Sequence, residues 1–569
     1  MKSKTSKKIL WQIVSKWKGT IFTYIFLGIL SSFISVFSIH LYENIINSVT
    51  SRKLPLVTLV VYAVLTIGSY IINYLCNYPG TRLSSGLYLE FKTKALEYIS
   101  KIKYVEYCKI GTGKLTQIVE NGANAGKYIF NDFYFRCVRE LIPDMIFSIS
   151  LIAILNIKIA GIILLGYVIV FICTNLLLKK LYSIKEKLQT NEEKFGKYLT
   201  RGFMEFVTFR INRRFGDEIK NINGVAEGIT KSRTSIVMVH EAFFTVFAVL
   251  IGIIKVIIII LSFTSINISV GALVAIIALV DKVYTPIAIF NVIFVQKKLE
   301  QISFDRYLSI IELDSDTNLY SGKQISVNNF DIAVNDISLS IDGKSILNNI
   351  NVNFENCKTT AIVGESGSGK SALIKSILGL YKISDGNIII DGNNLGDVQL
   401  DSMYSYITYI GQETPVFDGT IRENIVFSED VSDDEILKIL KLVELDKYLE
   451  KLPNKLNTEI GEKGITLSGG ERQRIALSRI FFGDSKLIIL DEATSALDNI
   501  LEESVMNNIV NHLRNKTVII IAHRLNSIKN VDNIIVIKDG CVLDEGAYDE
   551  LLNKSSYFSE LCRLNNLGD

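Results

Sequence analysis

Long apolar runs separated by polar, lysine-rich stretches fill residues 1–302 of the chain. Six of these runs are candidates for membrane-spanning helices, because about 20 mainly apolar residues cross a bilayer core. They lie at 19–42, 54–76, 141–158, 160–178, 237–263 and 268–296. So few residues separate the third run from the fourth that a tight antiparallel hairpin is expected there. The pattern predicts an all-α membrane domain of six helices over 1–302.

The distribution of Lys and Arg predicts how these helices are oriented. The connections 77–140 and 179–236 carry ten and thirteen Lys or Arg residues, and the other connections carry at most two each. Since basic residues collect on the cytoplasmic side, the N-terminus, both long connections and everything after residue 296 are expected in the cytoplasm. Each long connection is predicted to be a helical hairpin that reaches about 45 Å into the cytoplasm. Ordinary soluble loops are the alternative, although unstructured loops of this length are uncommon.

The pattern changes after residues 303–327, which are predicted to be a linker. Short runs rich in Val and Ile follow, such as 360–363, 487–490 and 518–521, with helical stretches and Gly or Asp turns between them. Short buried strands that alternate with helices are typical of a largely parallel sheet. The predicted fold class is multi-domain, with an all-α six-helix transmembrane domain followed by an α/β domain.

Composition agrees with a chain that is partly embedded in a membrane. Of its 569 residues, 49% are hydrophobic and 21% are charged, whereas soluble domains average about 25% charged residues. The net charge of +2 is too small to indicate a nucleic-acid partner. Seven cysteines occur without a Cys-x-x-Cys pair, which argues against a disulfide framework or a zinc site.

A glycine-rich motif follows the apolar run 360–363 directly. It reads GESGSGKS and matches the GxxxxGK[ST] pattern of a phosphate-binding P-loop. Lys370 is predicted to reach the β- and γ-phosphates of ATP, and the Ser371 hydroxyl is predicted to bind Mg²⁺. The predicted ATP-binding residues of this loop are Gly364, Glu365, Ser366, Gly367, Ser368, Gly369, Lys370 and Ser371. Residues 328–569 are therefore predicted to be a P-loop nucleotide-binding domain.

A second motif is the apolar run 487–490 that ends in two acidic residues, Asp491 and Glu492. After a P-loop, such a run fits the strand that supplies the metal-binding carboxylate of a nucleotide hydrolase. Asp491 is predicted to hold Mg²⁺ through water, and Glu492 is predicted to polarise the attacking water.

The segment 467–474, LSGGERQR, resembles the signature of ATP-binding cassette (ABC) proteins. Glu471 stands where many members of that family have Gln, but the serine and both glycines are in place. The resemblance implies that Ser468, Gly469 and Gly470 bind ATP that is held by the P-loop of a second chain.

Other residues follow in the order of the same family. Gln412 resembles the loop glutamine that contacts Mg²⁺ and faces the membrane domain, and His523 resembles the histidine that senses the γ-phosphate. Asp498 lies in a segment that resembles the loop crossing to the partner chain. The resemblance thus implies Glu492, His523 and Gln412 as catalytic residues. Ile341 is a departure, because it occupies the position where the family stacks adenine on an aromatic ring, a contact worth about 0.5–1.5 kcal/mol. Weaker nucleotide affinity or looser base selection is expected.

The resemblance covers nearly the whole chain, and its six helices ahead of one cassette resemble an exporter half-transporter. It implies ATP and Mg²⁺ as cofactors, the lipid bilayer and a second half-transporter chain as partners, and no nucleic acid. A homodimer is the simplest assembly because all nucleotide motifs are intact, and a heterodimer stays open. The segments 113–115 and 213–218 lie near the positions where the family places its two coupling helices.

These features imply an ATP hydrolase coupled to transport, in a multi-pass protein of a bacterial cell membrane. The expected activity is export of an amphipathic drug, peptide or lipid-like substrate from the cytoplasm or inner leaflet. An importer of siderophore-like cargo and an ATP-gated channel are the alternatives. Lys255 and Asp281 lie inside predicted spans, where a charge costs about 2.5–3.5 kcal/mol. They are expected to contact polar or charged cargo in a cavity, or to form an ion pair between helices.

Overall fold

The computed structural model describes residues 4–51, 55–264, 268–327, 330–412, 415–426, 431–461, 467–522 and 524–567. The chain divides into two compact units. The first comprises Met1–Ser100 and Ile110–Leu313, and the second comprises Lys101–Lys109 and Asp314–Asp569. The short segment 101–109 thus belongs with the second unit by its contacts, although it lies between helices of the first unit along the chain.

Long helices make up most of the first unit. The helices up to residue 311 are α1 (Lys4–Lys16), α2 (Lys18–Thr50), α3 (Leu56–Ile99), α4 (Tyr104–Ile110), α5 (Thr112–Lys127), α6 (Ile142–Leu155), α7 (Ile157–Met204), α8 (Phe206–Ile211), α9 (Phe215–Thr264) and α10 (Val270–Ile311). The short α4 lies mainly in the segment 101–109 of the second unit. Between α5 and α6 the helix widens to π-helical turns over Tyr128–Phe135 and Cys137–Leu141. With 48 and 50 residues, α7 and α9 are each more than about 70 Å long and exceed the thickness of a bilayer core.

Four helices of the described chain are long and apolar enough to cross a membrane, namely Lys18–Thr50, Leu56–Ile99, Phe215–Phe263 and Val270–Ile311. They correspond to the first, second, fifth and sixth runs predicted from the sequence. The third and fourth runs fall mainly in α6 and α7, where the described apolar stretch Ile157–Gly166 is shorter. None of the most apolar window of α3 is buried by protein, so its side chains are left for lipid or for another chain.

The third and fourth runs meet at a capped turn of one residue. Asn156 separates α6 from α7 with an extended backbone, and its side-chain oxygen accepts hydrogen bonds from the N–H groups of Lys158 at 3.0 Å and Ile159 at 3.2 Å. Asparagine suits this position because its oxygen satisfies N–H groups that the first turn of a helix leaves unpaired. The tight hairpin expected from the sequence is present at this residue.

The described strands of the second unit form two sheets and a short two-stranded ribbon. Its strands are β1 (Ile332–Ile341), β2 (Lys344–Phe354), β3 (Thr359–Val363), β4 (Asp385–Ile390), β5 (Asn393–Asn394), β6 (Ile407–Ile410), β7 (Gly419–Thr420), β8 (Glu459–Ile460), β9 (Leu487–Asp491), β10 (Thr517–Ile521), β11 (Asn533–Lys538) and β12 (Cys541–Gly546). One sheet is antiparallel in the order β2-β1-β4-β5, and the larger sheet has the order β12-β11-β3-β10-β9-β6. In the larger sheet every neighbouring pair is parallel except β11 with β12.

Helices connect the strands of the second unit. They are α11 (Lys370–Ile377), α12 (Leu400–Tyr404), α13 (Ile421–Ile425), α14 (Asp433–Leu442), α15 (Asp446–Glu450), α16 (Gly469–Ser478), α17 (Asn499–His512), α18 (Tyr548–Lys554) and α19 (Ser556–Leu567). Every residue of β3, β9 and β10 is buried. Strands that are covered on both faces need continuous apolar runs, which is why these three were visible in the sequence.

Candidate nucleotide site

The residues that carry chemistry in the second unit follow parallel strands at their carboxyl ends. The P-loop follows β3, Asp491 ends β9, and Gln412 lies two residues after β6. β3, β10, β9 and β6 are consecutive neighbours in the sheet. Because the carboxyl ends of parallel strands meet at one edge of a sheet, where ligands bind, these groups share one site.

The P-loop depends on glycine for its backbone path. Gly364, Gly367 and Gly369 have φ values of 150°, 84° and 106°, which residues with a Cβ rarely adopt. A Cβ at Gly364 would also lie 2.1 Å from the carbonyl oxygen of Ile537. Helix α11 begins directly after the loop, so its first amide groups face the same space, and such amides favour a bound phosphate.

Two side chains of the loop, those of Lys370 and Ser368, can donate hydrogen bonds to an anion. Lys370 is buried, and its Nζ donates to the carbonyl oxygens of Gly364 at 2.8 Å and Glu365 at 2.9 Å. Burial lowers the pKa of Lys370, while the carboxylates of Glu492 and Asp491 oppose that shift. Within the described chain, the Ser368 hydroxyl is buried without a hydrogen-bond partner. Since buried polar groups are nearly always paired, this hydroxyl fits a phosphate oxygen.

Asp491 receives hydrogen bonds from two hydroxyl groups. Ser371 Oγ donates to Oδ1 at 3.2 Å, and Tyr409 Oη donates to Oδ2 at 3.1 Å. Burial and then the charge of Asp491 raise the pKa of the Tyr409 phenol, so it keeps its proton at neutral pH. Ser371 and Asp491 present oxygen atoms, the ligands that Mg²⁺ prefers, so these two residues fit the predicted metal.

Glu492 turns away from β9 with an unusual backbone. Its φ is 54°, a strained value for a residue other than glycine, and its N–H donates to the carbonyl of Ile521 at 3.2 Å. Gln412 Nε2 donates to Glu492 Oε2 at 2.8 Å. Both side chains line a cavity of about 470 Å³ together with Ser366. The structure thus joins Gln412 to Glu492, and the contact of Gln412 with Mg²⁺ stays a prediction.

A capping box starts the signature helix α16. The N–H of Glu471 donates to Ser468 Oγ at 3.3 Å, and the N–H of Ser468 donates to Glu471 Oε2 at 2.7 Å. The family departure at Glu471 therefore has a structural role, because its carboxylate closes the box. Gly469 and Gly470 follow in the first turn, where an added Cβ would lie 3.2–3.3 Å from atoms of residues 496–497.

The signature helix also holds the segment that contains Asp498. Gln473 Nε2 donates to Ser495 Oγ at 3.1 Å, and Gln473 Oε1 accepts from the N–H of Ala496 at 2.8 Å. Asp498 itself caps α17 by accepting from the N–H of Leu501 at 2.9 Å. The roles of Ser468 and Asp498 toward a partner chain stay predictions.

Ile341 lies at the end of β1, beside the two-residue turn to β2. Asp342 and Gly343 in this turn have φ values of 50° and 79°, as a type I′ hairpin requires. Ile341 pairs with Lys344 and packs partly buried against the core. Its effect on adenine binding stays a prediction, and His523 lies outside the described residues.

Sequence reasoning missed Tyr409 and a network of side chains that lines the same cavity as Glu492. In that network Arg524 Nη1 donates to Glu502 Oε2 at 2.8 Å and to the Leu497 carbonyl at 2.6 Å, and Thr494 Oγ1 donates to Glu502 Oε1 at 2.9 Å. No motif marks these residues. They become visible only when strand and helix neighbours are known.

In the first unit, Lys255 of α9 and Asp281 of α10 form an ion pair with an Nζ–Oδ1 distance of 2.7 Å. The side chain of Asp281 is 57% exposed and that of Lys255 is 26% exposed. The structure therefore contains the ion pair between helices that the sequence offered as one interpretation. A contact of this pair with cargo stays a prediction.

Comparison with known proteins shows which proteins the second unit resembles. The ABC transporter family profile matches residues 347–495. The chain is similar to an ATP-dependent lipid A-core flippase of Desulfotalea psychrophila, with 40% identity over 222 residues, 39% of each chain. It is also similar to a putative export ATP-binding/permease protein of Rickettsia prowazekii, with 34% identity over 272 residues, 47% of each chain. The matches span less than half the length of these two relatives.

A solved structure extends the likeness to the whole chain. A bacterial Atm1-family ABC exporter with ATP bound has a TM-score of 0.82, covers 97% of this chain and 98% of its own, and is 19% identical. At that identity the likeness shows the fold. Residues 347–495 match the ABC transporter family, and the chain as a whole has the fold of this exporter. The fold class and the family resemblance predicted from the sequence are confirmed.

Proposed function

We propose that this chain is one half of an ATP-driven exporter that moves an amphipathic substrate outward across a bacterial cell membrane. One observation carries the proposal. Lys370, Asp491, Glu492 and Gln412 converge at one edge of a parallel sheet, in a chain with the fold of an exporter over 97% of its length.

Each residue of the site has a task in ATP hydrolysis. Lys370 exchanges its two loop carbonyls for phosphate oxygens when ATP enters, and Ser368 adds a hydroxyl donor. Ser371 and Asp491 hold Mg²⁺, which neutralises phosphate charge when bound. Gln412 fixes one oxygen of Glu492 by a hydrogen bond of 2.8 Å, which orients this carboxylate to accept a proton from the attacking water.

A second copy of the chain completes each ATP site. Its Ser468, Gly469 and Gly470 start a helix whose positive N-terminal end favours the γ-phosphate. The intact motifs in this chain support a homodimer. The four apolar helices and the uneven distribution of Lys and Arg support a multi-pass protein with its N-terminus and nucleotide-binding unit in the cytoplasm.

The relatives support outward transport of an amphipathic molecule. One is named a lipid A-core flippase and the other an export permease, which favours a lipid-like cargo and does not favour import. The Lys255–Asp281 pair would offer polar cargo both charges. The gated channel is the remaining alternative, and the vesicle experiment below distinguishes it from an exporter.

Replacing Glu492 by Gln tests the hydrolysis step. An amide cannot accept the proton of the attacking water, so ATP turnover should fall by at least about 100-fold, while Mg-ATP binding persists. The measurement is phosphate release and ATP binding by the purified protein. Glu503→Gln is the matched control, because Glu503 is exposed on α17, and it should leave turnover unchanged. Normal turnover in Glu492→Gln would contradict the assignment.

Inverted membrane vesicles test the direction. Inverted vesicles expose the cytoplasmic face of the membrane to the added ATP. A fluorescent lipid analogue should then accumulate in the lumen or in the leaflet that faces the lumen, and Glu492→Gln should abolish that accumulation. ATP-dependent loss of preloaded analogue would indicate import. Flux that persists in Glu492→Gln would indicate a channel.

A further inference from the structure

We propose that Tyr409 is a positioning residue for the metal-nucleotide site, where its hydroxyl holds the Asp491 carboxylate in the orientation that receives Mg²⁺. The inference rests on the proposed function. It concerns a residue that belongs to none of the motifs of the site.

Strand register places Tyr409 where it can reach Asp491. β6 and β9 are parallel neighbours, and Tyr409 lies opposite Ile489. Asp491 is two residues beyond Ile489, so its side chain points to the same face of the sheet. Such a diagonal pair is separated by about 7–8 Å between backbones, a distance that an aromatic side chain spans. The Tyr409 Oη atom accordingly lies 3.1 Å from Asp491 Oδ2.

Gly411, the residue after the end of β6, leaves room for the tyrosine ring in this position. Gly411 lies beside Tyr409, where an added Cβ would be 3.1 Å from Cε1 and 3.2 Å from Oη of the tyrosine. Those distances are close for a carbon contact, so a larger residue at 411 would displace the ring. Gly411 thus leaves the space that the phenol occupies beside Asp491.

The hydrogen bond matters because the carboxylate of an aspartate rotates easily about its last side-chain bond. Tyr409 holds Oδ2, which leaves Oδ1 directed at Ser371 Oγ, 3.2 Å away. Asp491 Oδ1 and Ser371 Oγ are the two oxygen atoms that fit the metal. Without the phenol, the carboxylate is free to turn, and the metal would have to fix it on binding.

Tyr409→Phe removes the hydroxyl and keeps the ring. Mn²⁺ bound together with a non-hydrolysable ATP analogue, measured by electron paramagnetic resonance on the full-length protein, should bind about tenfold more weakly, because a hydrogen bond to a charged group has that order of effect. Binding of the same analogue in EDTA should not change. Turnover should fall at low Mg²⁺ and recover as Mg²⁺ is raised.

Tyr404→Phe is the matched control, since its hydroxyl donates to the Leu378 carbonyl at 2.8 Å. It should leave Mn²⁺ affinity unchanged. Wild-type Mn²⁺ affinity in Tyr409→Phe would overturn the proposal. So would an equal loss of analogue binding in EDTA, which indicates general damage to the site.

A second variant keeps the hydroxyl but crowds the ring. Gly411→Ala should also weaken Mn²⁺ binding, and it should add little in a chain that already carries Tyr409→Phe, because residues that share one interaction are not additive. Fully additive losses would contradict the proposal. Mn²⁺ affinity reports on Tyr409 even where wild-type protein transports nothing, so failure of the proposed function would be recognised separately.

Discussion

Ile341 occupies the end of β1 where the resemblance expects an aromatic residue, and its short side chain packs against the core of the sheet. The neighbouring turn of Asp342 and Gly343 fixes the backbone at this point. The backbone position of residue 341 should therefore stay the same when a larger side chain is introduced there. Residue 341 is the clearest departure of this chain from the resemblance, and its contact with nucleotide stays a prediction.

Ile341→Tyr should tighten ATP binding about two- to tenfold, since an aromatic contact adds about 0.5–1.5 kcal/mol. Calorimetric titration with ATP measures the effect, and titration with GTP shows whether base selection sharpens. Ile341→Leu is the control for a change of side-chain shape alone. Equal affinities of the Tyr and Leu variants would show that residue 341 does not contact the base.

The sequence predicted those site residues whose neighbours along the chain carry the chemistry. The P-loop glycines need their φ values wherever the loop occurs, and Asp491 with Glu492 ends an apolar run that only a buried strand explains. Tyr409 was not predictable, because its contact with Asp491 joins residues 82 apart. Such a contact depends on which strands are neighbours, and hydrophobic pattern does not specify strand order.

At the scale of elements, the start of α16 combines stability with function. Ser468 accepts a hydrogen bond as a helix cap and is also predicted to meet the γ-phosphate held by another chain. The reciprocal bond from the Ser468 N–H to Glu471 holds the turn in place. The capping box thus stabilises the first turn of this helix by hydrogen bonds within the chain.

Glu471→Ala should lower the free energy of opening of that turn by about 0.3–1.5 kcal/mol, the usual contribution of such capping groups to helix stability. Hydrogen exchange of the Ser468 amide should quicken by about two- to tenfold. Glu471→Gln is the matched control, because its amide oxygen still accepts the bond and it restores the more frequent family residue. Unchanged exchange in Glu471→Ala would show that the box does not stabilise the turn.

Residues 101–109 show what sequence pattern does not reveal about a short segment. These residues belong with the second unit by their contacts, and the position of 113–115 near a coupling helix stays a prediction. Tyr104 contacts the ring of Tyr381 edge-on at 5.6 Å, and the Lys103 N–H donates to the Asp314 carbonyl at 3.2 Å. A seven-residue helix is too short for periodicity to reveal, so only its contacts identify it.

At the scale of the molecule, hydrophobic pattern was sufficient for the class of fold. Runs as long as 237–263 have few alternatives to a long apolar helix, and fully buried strands such as β9 have few alternatives to a parallel sheet. Assembly is different, because it depends on surfaces that one chain does not pair. The shared ATP site is accordingly the part of the proposal that most needs an experiment on two chains.

Mixed dimers decide whether the ATP site is shared between chains. Lys370→Ala spoils phosphate binding in its own P-loop, and Ser468→Arg places a bulky cation at the signature. With shared sites, dimers that carry one change in each chain keep one intact site, because both changes fall in the other. Dimers that carry both changes in the same chain lose both sites. Sites contained within one chain predict the opposite order, so ATP turnover of the two kinds of dimer, purified through separate affinity tags, distinguishes the arrangements. If neither dimer turns over ATP, the sites are coupled, and a disulfide formed between Ser468→Cys and a P-loop cysteine of the other chain is then the deciding measurement.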